Sequence, residues 1–131
     1  MCYRAKILSS PGRCPRTDAM VVHLGADAWQ LAAALPKALA GLPGTGTTTS
    51  ILARRLSPGL AMAWEPDDIR PGYAHLSFGE HRAAALADGL IRHASACEPL
   101  SCDEAVGGAF TEAGIDPLSP DRNTGSPTLD P

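Results

Sequence analysis

Three stretches of this sequence carry side chains whose types and spacing can do chemistry. The first is GLPGTGTTTSIL at 41–52, where Gly41 and Gly46 bracket a loop and Thr48 follows. Glycines at such positions let successive backbone N–H groups wrap phosphate oxygens, and a hydroxyl just beyond them holds magnesium on a nucleotide. On this reading Gly41, Gly44, Thr45, Gly46, Thr47, Thr48 and Thr49 form a nucleotide site for ATP or GTP with Mg2+, and Thr48 is the magnesium contact. A lysine is wanted where Thr47 stands. Its absence removes a charge-assisted contact worth roughly 1.5–3 kcal/mol, which leaves weak binding and slow or absent phosphoryl transfer.

The second stretch is EPDDIRPG at 65–72. A carboxylate beside an arginine can take a proton from a hydroxyl while the guanidinium holds phosphate with two bonds, which nominates Asp67 as base and Arg70 as phosphate ligand. The same residues also make a plain turn in which Asp67 or Asp68 caps IRPG. The third is a set of metal-binding types, His81, His93, Cys97 and Cys102, within 22 residues. Its spacing fits no common zinc pattern, so the set reads as exposed histidines and inert thiols, and no zinc is expected. No nucleophile elbow and no Ser/His/Asp spacing is present.

These residues need elements to place them. CYRAKILSS reads as a short strand broken by PGRCPRTD, and MVVHL at 20–24 as another. GADAWQLAAAL has Asp27 as N-cap and a helix that Pro36 ends. TTSILARRL has helical spacing through Ile51, Leu52 and Leu56, and LAMAW at 60–64 reads as a strand. Ser77 and Glu80 form a capping box ahead of a helix whose Ala83, Leu86, Ala87, Leu90, Ile91 and Ala94 line one apolar stripe, the expected core face. Ser101 and Glu104 form a second box for a shorter helix to about Ala113. The domain plan is a basic appendage at 1–19, a compact domain at 20–114 and a disordered, proline-rich acidic tail at 115–131. VVHLGADAWQLAAALPKAL and YAHLSFGEHRAAALADGL resemble each other, which alanine-rich helices do readily by chance.

With the loop placed between the run KALAG and a helix-forming segment, GLPGTGTTTSILARRL resembles the Walker A region of P-loop kinases and AAA-type ATPases. EPDDIRPGY is similar to the D-D-x-R segment of small P-loop kinases of the polynucleotide-kinase and zeta-toxin-like kind. The resemblance spans residues 36–73. It implies an α/β fold, a small or truncated P-loop-like three-layer domain, and phosphoryl transfer with Asp67 as base and Arg70 as phosphate ligand. LPGTG at 42–46 also matches the L-P-x-T-G pattern of sortase sorting signals, without the apolar span and basic tail that such signals carry behind it.

Composition supports a second plan. The 131 residues suffice for one modest core. Ala and Leu supply 37 residues against 8 of Val and Ile, too few β-branched side chains for a large parallel sheet. The alternative is therefore a small α+β domain with two main helices and a short sheet, acting as a non-catalytic protein-protein interaction or regulatory module, with a protein partner or a homo-oligomer as its complex. A net charge of -3 makes nucleic acid an unlikely partner. Arg4, Lys6, Arg13 and Arg16 nevertheless form a basic start, and the residues after Ala96 carry seven acids against Arg122. No run approaches the roughly 18 apolar residues of a membrane span. The expected location is cytoplasmic, with Cys2, Cys14, Cys97 and Cys102 as free thiols.

Overall fold

The structure is a computed structural model that describes residues 2–9 and 18–128. Cys14, Arg13 and Arg16, named above, lie outside the described residues. The described chain is a small α+β arrangement with two two-stranded sheets and two principal helices, in the order β1 (Tyr3–Ile7), β2 (Met20–Leu24), α1 (Leu35–Ala38), β3 (Arg54–Ser57), β4 (Leu60–Met62), α2 (Phe78–Ser95) and α3 (Cys102–Glu112). This is the alternative plan; a three-layer P-loop sheet is not what these elements build. The chain divides into two units, one of residues up to Ile51 with Arg55–Met62, the other of Leu52–Arg54 with Ala63–Pro127.

In the first unit β1 and β2 pair antiparallel, with Tyr3 opposite Leu24, Ala5 opposite Val22 and Ile7 opposite Met20. Side chains alternate along a strand, so these six apolar residues share one face while Arg4, Lys6 and His23 share the other. A 3-10 helix over Ala26–Ala33 follows, and it buries Ala28 and Ala32. Asp27 does not cap it. The N-cap is Gly25, and the Asp27 carboxylate instead accepts from the Cys2 backbone N–H at 3.3 Å. Pro36 sits in the first turn of α1, so it starts a short helix where its missing N–H costs nothing, instead of ending a long one. Pro58 and Gly59 turn the chain between β3 and β4. Gly59 has φ +72, and a Cβ there would stand 2.1 Å from the Gly46 carbonyl oxygen, so the turn requires a bare backbone where it meets the loop.

In the second unit both capping boxes form as the sequence dictates: Ser77 with Glu80 opens α2, and Ser101 with Glu104 opens α3. Each satisfies two otherwise orphaned N–H groups. Helix α3 ends at Gly114 in a Schellman motif. The Ile115 N–H bonds the Phe110 carbonyl at 2.9 Å, the Gly114 N–H bonds the Thr111 carbonyl at 3.0 Å, and Gly114 supplies the positive φ of +68. That turn folds Ile115 back onto Phe110, where they form a core with Ala85 and Ala113, flanked by Leu86 and Val106. Burying Phe110 and Ile115 contributes about 1.5–3 kcal/mol each. The helices meet at Gly89, whose missing side chain leaves room for the Val106 backbone; a Cβ would lie 2.6 Å from Val106 Cα. After α3 the chain remains packed: Ile115 bridges to Asn123, and both are buried.

Candidate functional site

The Ser77 box fixes the start of α2, and one turn later the helix directs His81 and Arg82 inward, each 0 % exposed. Around them two loops close. The Arg82 guanidinium donates from Nε to the Pro120 carbonyl at 2.9 Å, from Nη1 to His81 Nδ1 at 2.8 Å and from Nη2 to Asn123 Oδ1 at 2.9 Å. Asn123 Nδ2 then donates to the Glu65 carbonyl at 2.7 Å, and the Trp64 N–H to the Asp121 carbonyl at 2.7 Å. His81 Nε2 meets Asp68 Oδ2 at 2.9 Å. The Asp68 carboxylate also receives Arg70 Nε and Nη2. Arg70 lies over the Tyr73 ring, 4.2 Å from its centroid, and the Tyr73 hydroxyl donates to Asp88 at 2.9 Å.

Donor and acceptor rules set the proton positions in this chain of contacts. A guanidinium only donates, so His81 Nδ1 accepts; an ionised carboxylate only accepts, so His81 carries its proton on Nε2. Asp68 stays ionised because the hydrogen-bonded Arg70 guanidinium holds its carboxyl far below the usual carboxylate range, and its bonds from the Arg70 N–H and His81 add to this against burial. The Tyr73 phenol is pushed up, first by its bond to Asp88. Burial pushes Arg82 below the ordinary arginine value, with Asp67, Asp121 and Glu65 opposing at longer range. Among the described residues no carboxylate pairs directly with Arg82, and Arg122 Nε is the one buried side-chain polar atom without a partner. The groups able to move a proton, Asp68 and His81, are thus spent on holding loops 63–70 and 116–126 against α2.

The outer side of α2 has the opposite character. His81, Arg82, Ala85 and Gly89 form the buried side, while Ala83, Ala87, Leu90, Ile91 and Ala94 are exposed, Leu90 by 46 % and Ile91 by 62 %. The stripe expected to be core is turned outward, Leu86 excepted. The cause is the close approach at Gly89: small residues at 85 and 89 let α3 in, and Arg82 on the same side finds three acceptors that a solvent-facing position lacks. The line Arg82, Ala85, Gly89 is the sequence signal for this packing face, and its charged first member hides it from a reading by hydrophobicity.

The nominated chemical residues are placed otherwise than expected. Residues 41–48 are exposed, Gly41 and Gly44 have φ of +78 and +88, and Thr45 Oγ1 donates to the Leu42 carbonyl at 2.9 Å. Gly46 backs onto Gly59, and Thr47, Thr48 and Thr49 run on toward a turn and then strand β3. No helix begins behind this loop and no strand precedes it, so neither the dipole nor the row of N–H groups of a phosphate loop is assembled. TTSILARRL fails as a helix because its second half pairs with β4. Gly41–Thr49 belong to the first unit and Asp67 and Arg70 to the second. Asp67 is exposed, and the partner of Arg70 is Asp68, through a bidentate pair closing to 2.6 Å. Of the metal-binding types, His81 has both nitrogens engaged, His93 Nδ1 donates to the Leu100 carbonyl at 2.7 Å, and Cys97 and Cys102 are exposed free thiols, as is Cys2. Among the described residues no group of three or more His, Cys, Asp or Glu side chains gathers where a metal ion can bind, and no helix is long and apolar enough to cross a membrane.

The model of the HopA1 effector protein family matches residues 1–122, and no curated protein matches the chain. The match corrects the P-loop kinase resemblance: residues 36–73, which carried it, fall inside a different family, and the nucleotide-binding, ATP-binding and kinase-like descriptions fall with it.

Proposed function

The chain belongs to the HopA1 effector protein family, and from that premise we propose that it acts without catalysis, by binding a protein partner through the outward face of α2. The observation that carries this reading is the inversion of α2, which buries His81 and Arg82 while leaving Leu90 and Ile91 in water. Contiguous exposed apolar surface is costly to maintain and marks interaction sites. The face also has few charges to desolvate on docking; from Gly79 round to Ser95 its one charged residue is Glu80, at the helix start.

The polar cluster supports the same reading from the other side. Its proton-transfer groups are buried and saturated with internal bonds, the condition of a structural lock. A photo-cross-linking side chain introduced at position 91 is expected to give protein adducts in cells producing the protein, and one at the exposed position 103 on α3 is not. Equal adduct formation from both positions, or none from 91, overturns the assignment.

A further inference from the structure

We propose that the outward face of α2 pairs with the same face of a second copy of this chain, the helices running antiparallel about Ala87; the inference rests on that face being a binding surface. Its exposed residues Ala83, Ala87, Leu90 and Ala94 recur at spacings of four, three and four, the seam spacing of helices that pack side by side. Small residues occupy the first half, with Gly79, Ala83 and Ala84, and large ones the second, with Leu90 and Ile91. Reversing one helix against the other about Ala87 brings the Leu90 and Ile91 pair of each copy level with the Ala83 and Ala84 pair of the other. Each bulky pair then meets a recess, at both ends of the contact, as a two-fold interface requires. Parallel pairing sets bulky against bulky and small against small, and leaves a gap along the alanines.

Charge selects the same arrangement. Helix α2 is acidic in its first turn, at Glu80, and basic in its last, at Arg92 and His93. The last-turn Arg92 is held by Glu112 of α3 and stands off this face, so the charge that matters is Glu80, and antiparallel pairing separates the two Glu80 side chains by about 21 Å at 1.5 Å of rise per residue. Parallel pairing sets Glu80 beside Glu80. Opposed helix dipoles add in the same direction. One face of an 18-residue helix is smaller than the roughly 800 Å² per partner of a standard interface. The dimer is accordingly weak and concentration-dependent.

The test uses the full chain with Cys2, Cys14, Cys97 and Cys102 changed to Ser. Sedimentation equilibrium is expected to show a mass rising with concentration from 13.6 kDa toward twice that value, and Leu90→Glu is expected to remain at 13.6 kDa with unchanged circular dichroism. Added to the cysteine-free chain, Ala87→Cys forms an intermolecular disulfide on oxidation. Ala83→Cys alone does not, whereas a mixture of Ala83→Cys and Leu90→Cys chains does. A monomer up to about 1 mM, or a disulfide through Ala83→Cys alone, overturns the proposal. Should the chain stay monomeric while position 91 cross-links to a different protein, self-pairing is wrong and the binding role of the face stands. Absence of adducts from 91 removes both.

Discussion

Arg82 Nη1 donates to Nδ1 of the residue directly before it, His81, at 2.8 Å, so two consecutive helix residues brace each other while reaching toward different loops. His81 holds the loop at Asp68, and Arg82 holds Pro120 and Asn123. Removing the guanidinium strands three buried acceptors. Arg82→Met is therefore expected to destabilise the protein by about 3–5 kcal/mol, since each stranded acceptor costs roughly 1–3 kcal/mol, and Arg82→Lys by a similar order, because an ammonium lacks the planar fork that serves three partners. Urea denaturation followed by circular dichroism measures both.

Acid should loosen the same cluster. The folded-state pKa of Asp68 is depressed by Arg70, so its contribution is complete above the unfolded carboxylate value near pH 3.9 and is lost as pH falls toward the lower folded value. Stability measured from pH 6 down to about pH 2 is expected to fall in the wild type. Asp68→Asn should begin less stable and show a flatter acid limb. An identical slope in the two proteins would remove Asp68 from the account.

Two glycine substitutions with equal helix propensity should act in opposite directions. Gly89→Ala gains up to about 1 kcal/mol of propensity but drives a Cβ to 2.6 Å from Val106 Cα, so it is expected to lower the melting temperature. Gly107→Ala, in α3 with nothing within 4 Å of the added carbon, should raise it. Differential scanning calorimetry of both variants checks the helix contact directly.

Charges placed on the outer face of α2 should leave the fold alone. Leu90→Glu and Ile91→Lys alter exposed positions and are expected to stay within about 0.5 kcal/mol of the wild type while abolishing association through the face. A large loss of stability in either would mean the face is covered from within.

The Gly/Thr loop gives a result of the contrary sign. Magnesium-ATP is expected to leave the melting temperature unchanged for the wild type and for Thr47→Lys alike, since restoring a lysine does not supply the missing helix behind the loop. A ligand at about 100 times its dissociation constant would add roughly 2.7 kcal/mol, well within detection.

Legibility followed locality. Ser77 with Glu80 and Ser101 with Glu104 act within one turn, and those helix starts were readable from four residues each. Strand β2 followed from its apolar run at 20–24. The loop at 41–52 reads locally as a phosphate cradle, whereas its backbone at Gly46 packs against Gly59 thirteen residues beyond, a contact that no local pattern encodes. The face of α2 was assigned backwards for a related reason. Hydrophobicity favours Leu90 and Ile91 for the interior, whereas the backbone approach at Gly89 and the acceptors gathered from Pro120 and Asn123 decide otherwise. Asn123 itself, in a stretch whose composition reads as tail, had no readable signal, because its partners lie 41 and 58 residues away.

Those separations have a bearing on how the chain matures during synthesis. Helix α2 has local caps and can coil as soon as it is made, but Arg82 then carries a charge with no buried seat until residue 123 has followed. Closing loops of that length is slow relative to forming a helix. The nascent chain thus passes through an interval in which α2 exists with both its sides wet, and the side that turns inward is fixed only as Val106 reaches Gly89 and Asn123 reaches Arg82.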